Sequence, residues 1–288
     1  MPVPDALPLD RLSPLLERFR VRASLFHAGP LCGVTHFDAQ PGRGFLHVMR
    51  NGEMAVRHAA GSGLVARLVV SEPSLVFYPR PLAHDFHNAP TEGADFVCAT
   101  LDFDQGDAHP LVRALPPLVV LPLARVDGLN ETLTLLFGEA ERVRCGQRLL
   151  ADRLFEVLLL QLLRWMLDQR DNPLPVGLLN GLADARLARA LTAVHARPGE
   201  AWTLERLAAE AGMSRSRFAE AFRNAVGTTP ADYVADWRLA IARAELRAGK
   251  SLKTLAAELG YANASTLSRL FTQRHGGLSA RAWRQQGG

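Results

Sequence analysis

Two sets of side chains in this 288-residue sequence could carry chemistry. Seven of the nine histidines, His27, His36, His47, His58, His84, His87 and His109, fall in the first 110 residues. Imidazole is a common metal ligand and titrates near neutrality, so this concentration points to a metal or an effector site. A divalent site needs three or four protein ligands. The second set is a group of arginines late in the chain: Arg215, Arg217, Arg223 and Arg269. Their guanidinium forks match phosphate oxygens and the edge of a guanine. The three cysteines, Cys32, Cys98 and Cys145, are too few and scattered for a disulfide framework or a CxxC zinc site. No residue is assigned a catalytic role, and no cofactor or metal is expected.

The charge is distributed unevenly. The whole chain carries a formal +4. Residues 1–180 hold 17 basic against 20 acidic side chains and residues 181–288 hold 16 against 9, leaving −3 and +7. A local basic excess is the electrostatic footprint of nucleic-acid binding. All but two of the 33 basic residues, Lys250 and Lys253, are arginines, a bias that a GC-rich coding sequence explains as readily as recognition. With 48% hydrophobic and 22% charged residues, disorder, collagen and a polytopic membrane protein are excluded. The most apolar run, Val157–Leu167, contains Gln161 and Arg164 and is half the roughly 20 residues a membrane span needs. The opening MPVPDALPLDRL lacks a basic start and apolar core, so no signal peptide and a cytoplasmic location are expected.

The elements that must position these groups change along the chain. Up to about residue 120 the pattern is short and extended. Phe45–Met49 and Glu53–Arg57 flank Asn51-Gly52, a dipeptide suited to a type I′ hairpin. Leu64–Val70, Leu75–Tyr78 and Asp95–Leu101 follow, and strands at this spacing predict a small β-sandwich or barrel. Pro116, Pro117 and Pro122 end the strand region. From Asp127 the texture is helical, with helices expected over Leu129–Val143 and Arg148–Gln169. The second carries an apolar face of Leu154, Phe155, Leu158, Leu159, Leu162, Leu163 and Met166, to be covered by the β-domain or a second subunit. Asp171–Pro175 reads as a linker. The expected class is α+β in two domains: a β-domain over 1–125 with a helical connector and dimerisation segment over 126–172, then an all-α domain over 181–286.

An internal repeat organises the basic third. Leu204-Glu-Arg-Leu-Ala-Ala-Glu-Ala-Gly212 recurs as Leu252-Lys-Thr-Leu-Ala-Ala-Glu-Leu-Gly260. In each copy leucines three apart face inward and a small alanine lets a second helix cross closely. The glycine ends the helix with positive φ. Capping residues Ser214 and Asn263 then open helices anchored by Phe218 and Phe222, and by Leu267 and Phe271. This is a helix-turn-helix signature, present twice. Between the copies, Ala231–Ala248 forms an 18-residue helix about 27 Å long. Successive major-groove faces lie about 34 Å apart, so such a rod could hold two recognition helices over adjacent turns of one duplex.

The stretch from about Leu182 to Arg284 resembles the DNA-binding domain of AraC/XylS-type transcription regulators. The matching residues are Leu204, Ala208, Gly212-Met-Ser214, Phe222, Gly227-Thr-Thr-Pro230, Tyr233, Trp237-Arg238, Ile241–Leu246, Ala256, Gly260-Tyr261 and Ser268–Phe271. The chain departs from the family's closing Gly-x-Ser-Pro, having Gly277-Leu-Ser-Ala280 before Trp283-Arg284. The resemblance implies a double helix-turn-helix that binds double-stranded promoter DNA and works with RNA polymerase as activator or repressor. The candidate DNA-binding residues are Ser214, Arg215, Ser216, Arg217, Arg223, Asn263, Ser265, Thr266, Ser268 and Arg269. The family's reading positions in the first copy fall on Ser216, Ala219 and Glu220, which offer little to a guanine. Arg269 is the candidate for a bidentate guanine contact, with a phosphate contact as its alternative.

The first part of the chain more loosely resembles the cupin-type sensor domain that precedes this module in many family members. Phe45–Glu53 resembles the cupin hairpin and Tyr78–Asn88 its second motif, with the motif's histidine on His84. A two-residue turn at Asn51-Gly52 would pair Arg50 with Glu53 and Met49 with Met54. Phe45, His47, Met49, Met54 and Val56 then face inward and Glu53 outward, so the full metal set of a metal-binding cupin is missing. His47, Met49 and His84 are assigned instead to a pocket for a small-molecule effector. Two alternatives stand beside this reading: a metal-dependent cupin enzyme with a DNA-binding tail, and a thiol redox sensor using Cys98, perhaps with Cys32. A DNA-binding module whose first domain senses nothing is a third.

Overall fold

The computed structural model describes residues 9–89, 93–126, 128–169 and 174–285. Two compact units result: Arg20–Pro173, and Met1–Phe19 taken together with Leu174–Gly288. In chain order, helix α1 (Ser13–Leu16) belongs to the second unit. The first unit follows with β1 (Val21–Leu31), β2 (Val34–Phe37), β3 (Arg43–Asn51), β4 (Met54–His58), β5 (Arg67–Val70), β6 (Ser74–Tyr78), β7 (His84–Asn88) and β8 (Ala94–Phe103). It closes with α2 (Pro110–Ala114), β9 (Val119–Pro122), α3 (Leu129–Ala140) and α4 (Gln147–Asp168).

The strands form two sheets, one in the order β1-β8-β3-β6-β9 and one in the order β2-β7-β4-β5, with antiparallel pairing throughout. Phe37, Phe45, Met49, Met54, Val56, Tyr78, Phe86 and Phe96 fill the core of this β-sandwich. Phe45, His47, Met49, Met54 and Val56 are buried as expected and Glu53 is exposed, but Leu46 and Val48 on the opposite face of β3 are buried as well. The expected hairpin does not form. β3 pairs with β6 and β8, whereas β4 pairs with β5 and β7, so Asn51-Gly52 is a corner between sheets. A type I′ turn needs positive φ at both residues, but only Gly52 has it, at 89°. The corner also needs glycine sterically, since a Cβ there would lie 2.8 Å from Ala94.

The helical connector is part of this unit. α4 packs along edge strand β1 and against α3. Its Asp152 accepts a hydrogen bond from the Leu25 amide at 2.6 Å and its Glu156 one from Ala23 at 3.3 Å. Carboxylates on a helix thus satisfy amides that an edge strand would otherwise expose. Leu154, Phe155, Leu158, Leu159, Leu162, Leu163 and Met166 are all buried. The apolar face considered for a subunit contact is therefore used inside the unit, and the apolar residues of α4 left exposed are Leu149, Leu150, Val157 and Leu160. The proline-bounded end of the strand region still contains a strand, β9, because Pro122 stands at the end of a sheet-edge strand, where no ladder donor is required of it.

The second unit is all helix: α1, α5 (Leu178–Ala183), α6 (Ala185–Ala196), α7 (Leu204–Ala211), α8 (Arg215–Val226), α9 (Pro230–Arg247), α10 (Leu252–Glu258), α11 (Ala264–Arg274) and α12 (Ala280–Gln285). Of the linker Asp171–Pro175, residues 171–173 lie outside the described residues, as do Asp127 and the first eight residues of the opening segment. The boundary at residue 1 shifts for a physical reason. Leu12, Leu15 and Phe19 are apolar side chains buried in the helical unit, where α1 packs on α6. Arg11 donates to the Leu182 carbonyl at the end of α5 at 3.1 Å, an orphan acceptor of a helix terminus.

Candidate nucleic-acid interface

Each copy of the repeat folds into two helices about a left-handed residue. In the first, Thr203 caps α7 by accepting from the Arg206 amide at 3.2 Å. Gly212, with φ 63°, ends the helix, and α8 starts at Arg215. In the second, Ser251 caps α10, Gly260 has φ 72°, and Asn263 caps α11 by accepting from the Thr266 amide at 2.9 Å. Ser214 holds the capping backbone conformation, but its hydroxyl makes no capping bond. The inward leucines are Leu207 and Leu255; Leu204, at the start of α7, is 37% exposed. Phe218, Phe222, Leu267 and Phe271 are buried, as their spacing predicts.

Burying those anchors turns the opposite faces outward. Ser216, Glu220 and Arg223 recur at i, i+4 and i+7 on α8, all exposed. On α11, Ser265 and Arg269 are exposed with half-buried Ser268 beside them. Among the described residues Arg217, Arg223 and Arg269 have no ion-pair partner. Arg215 differs: it donates to Glu205 of α7 at 2.8 Å, and that bond holds the Glu205 carboxyl below its usual range. Asn263 and Thr266 are tied to each other at the start of α11, with the Thr266 hydroxyl donating to Asn263 at 3.2 Å. The structure thus brings the ten predicted residues to the starts and outer faces of α8 and α11. Glu205 was not foreseen, because a partner ten residues away across a turn has no helical spacing to betray it.

In the β-unit, His47 Nε2 and His84 Nε2 face each other at 3.0 Å, and His84 Nδ1 lies 2.9 Å from the Leu82 carbonyl. A carbonyl only accepts, so in the neutral pair His84 donates from Nδ1 and accepts at Nε2, and His47 is the donor between them. His47 Nδ1 is left as a buried acceptor without a partner. Burial pushes both imidazoles down, His84 to about 4 and His47 well below its usual value with the like charge of His84 adding to it. The Tyr78 ring stacks on His84 at 4.1 Å, and its hydroxyl meets His58 Nε2 at 2.8 Å. Phe37, Phe45 and Phe86 surround the pair, and Met49 belongs to the same buried cluster.

A metal of the cupin kind does not fit these residues. Two imidazoles converge, but Glu53 faces solvent, and among the described residues no group of three or more His, Cys, Asp or Glu is placed to hold an ion. Cys98 is fully buried, which pushes its thiol up and away from the reactive thiolate. The Cys32 sulfur lies against Gly93, which directly precedes β8 and is five residues from Cys98. That separation is roughly 16 Å at the rise of a strand, well beyond disulfide reach. The same unit has an open groove of about 500 Å³ lined by Arg50, Leu123, Asn130, Leu133, Phe137 and Glu141, among others. There Arg50 lies over the Phe137 ring at 4.6 Å and donates to Glu141 at 2.7 Å.

Comparison with known proteins agrees with both halves of this geometry. Residues 10–168 match the family model described as Cupin, and residues 207–286 match one described as Helix-turn-helix domain. A protein of Streptomyces antibioticus described as an AraC-like transcription regulator is 34% identical over 56% of this chain and 54% of its own length. The transcriptional regulator AlkR of Acinetobacter baylyi is 32% identical over 66% of this chain and 62% of its own length. The solved DNA-binding domain of AdpA in complex with a target DNA is 26% identical, covering 34% of this chain and 89% of that one, with a TM-score of 0.32. The chain spans about half the length of the Streptomyces relatives it matches. With a cupin match over more than half its residues and an AraC-type helix-turn-helix match behind it, the chain belongs to the AraC-type regulators that carry a cupin domain.

Proposed function

We propose that the protein is a sequence-specific transcription regulator that binds double-stranded promoter DNA through α8 and α11 and responds to a small effector. The observation that carries this reading is the pair of helix-turn-helix units whose outer faces present unpaired arginines. In it, Arg217 and Arg223 hold phosphates, Arg215 or Arg217 reaches a base from the first helix, and Arg269 reads a guanine from the second. Ser214, Ser216, Ser265 and Ser268 supply short donors to phosphates or base edges, while Asn263 and Thr266 shape the start of α11. RNA polymerase is the further partner the family implies. The location in this reading is cytoplasmic; no helix among the described residues is long and apolar enough to cross a membrane. Selection of bound sequences from a random DNA pool tests the reading. Enrichment of a defined motif supports it, and recovery of unselected DNA overturns it.

For the effector, the surroundings of His47, Met49 and His84 combine an apolar lining with an unpartnered buried nitrogen, which supports a ligand there. A second location, the groove beside Arg50 and Phe137, is favoured by its open volume, since the histidine cluster is filled by aromatic rings. An effector acts only as far as it binds one state of the protein better than another. Repeating the selection with cell-metabolite extract, and then with His84→Gln and Phe137→Ala proteins, separates the two locations by which substitution abolishes the response. A second copy of the chain is a further partner in this reading, with Leu149, Leu150, Val157 and Leu160 as the apolar residues of α4 available to it.

A further inference from the structure

The loop between α6 and α7 touches the turn of the second helix-turn-helix with no space between backbones. A Cβ added to Gly199 would lie 2.2 Å from the Glu258 carbonyl oxygen, and one added to Gly260 would lie 2.1 Å from the Gly199 carbonyl oxygen. Neither clash is with a flexible side chain, so nothing larger than hydrogen fits at this seam. Arg238, from the middle of α9, closes it. Its Nε donates to the Pro198 carbonyl at 2.7 Å and its Nη2 to the Glu200 carbonyl at 2.7 Å, while its guanidinium lies over the Tyr261 ring at 5.3 Å. One arginine thus ties the loop ahead of the first unit to the residue after the glycine of the second.

The loop itself is held from within. Trp202 Nε1 donates to the Arg197 carbonyl at 2.9 Å, and Arg206 lies over the Trp202 ring at 4.4 Å. The far side of the seam, Glu258–Tyr261, is the turn that leads through Asn263 into α11. α9 packs against helices of both helix-turn-helix units, and Arg274 of α11 pairs with Asp232 and Asp236 of α9. The seam is a further connection off that axis, and it opposes tilting of one unit against the other about α9.

We infer that Gly199, Gly260 and Arg238 are positioning residues that lock α8 and α11 into one rigid reading head, so that the protein demands a single spacing between the two half-motifs it contacts. The inference rests on the DNA-binding reading above. Inserting one base pair between half-motifs moves the second by about 3.4 Å and turns it by about a tenth of a helical turn, which a rigid head cannot follow.

The test uses the full chain and a site selected by the wild-type protein, with one base pair inserted or removed between its half-motifs. Wild type should lose at least about tenfold in affinity for either spacing variant. Gly199→Ala should reduce that penalty to about threefold or less while binding a DNA with a single intact half-motif as wild type does. A role limited to stability would lower all three affinities together and leave their ratio unchanged. Arg238→Gln, which removes both bonds to the loop without adding volume, decides the matter if Gly199→Ala does not fold. A full spacing penalty in the folded variant, or wild-type tolerance of the insertion, overturns the inference while leaving DNA binding intact. Failure to select any motif removes the underlying reading and the inference with it.

Discussion

The ring of Phe19 stands edge-on to the indole of Trp237, centroids 5.0 Å apart and planes at 75°. Trp237 in turn stacks on His195 at 4.0 Å, and His195 Nε2 meets the Tyr233 hydroxyl at 2.6 Å. Residues 9–19 thus contribute core to a unit whose other residues begin at Leu174. Phe19 is fully buried, so Phe19→Ala should destabilise the helical unit by about 3–5 kcal/mol. Urea unfolding followed by tryptophan fluorescence checks this, and a loss below about 1 kcal/mol would contradict the packing described.

His195 titrates in the same cluster. Burial lowers it to about 3, with the Arg18 charge adding to the shift, against an unfolded value near 6.5. A group with a depressed folded value binds fewer protons when folded. Its contribution is complete above about pH 6.5 and is lost as pH falls toward 3. The expected slope is about 1.4 kcal/mol of stability per pH unit across that window. His195→Phe keeps a ring against Trp237 and removes the proton, so its stability should fall less steeply between pH 6 and 4. Equal slopes for both proteins in urea melts across that range would count against the assignment.

The exposed arginines should divide by what they touch. Arg269→Ala is expected to weaken binding by about 1–3 kcal/mol and to relax the preference at one base pair. Arg223→Ala should weaken binding uniformly across sequences and reduce the salt slope by about one. Affinities over a panel of single-base variants at several salt concentrations distinguish the two. An Arg269→Ala protein with unchanged specificity would make that residue a phosphate contact.

In the proposed DNA-binding reading, Glu205 competes with DNA for Arg215. The pair is exposed on both sides, where solvent leaves an ion pair weak. Glu205→Gln frees the guanidinium and removes a negative charge beside the recognition helix. DNA binding should tighten by up to about fivefold at low salt, with the gain shrinking as salt is raised. Weaker binding by the variant would show that the bridge positions Arg215 for its contact.

The helical unit was legible because its signals are local. Leucine spacing, a glycine after each short helix and the cap at Asn263 all act within a few residues, although the Ser214 hydroxyl makes no capping bond. What escaped was non-local. Arg215 meets Glu205 across a turn, Arg238 reaches back 40 residues to Pro198, and Phe19 packs against Trp237. In the β-unit, Phe45–Met49 and Leu75–Tyr78 could be read because they are buried, apolar runs. β1 could not: it is an edge strand with a register shift between Leu25 and His27 and with Gly29-Pro30 inside it, so neither face alternates cleanly. The corner at Asn51-Gly52 misled for a related reason, since a dipeptide reports the backbone angles it favours and not which sheet each flanking strand will join.

The division of the helical unit between residues 9–19 and those after 174 bears on how the protein is made. Phe19 leaves the ribosome 218 residues ahead of Trp237. At about 5–20 residues per second that interval is roughly ten to forty seconds. The segment Arg20–Pro173 can complete its own fold within it, while Leu15 and Phe19 wait in water with their binding surface not yet synthesised. Leu12, Leu15 and Phe19 therefore acquire their packing partners only when the residues after Leu174 have been made.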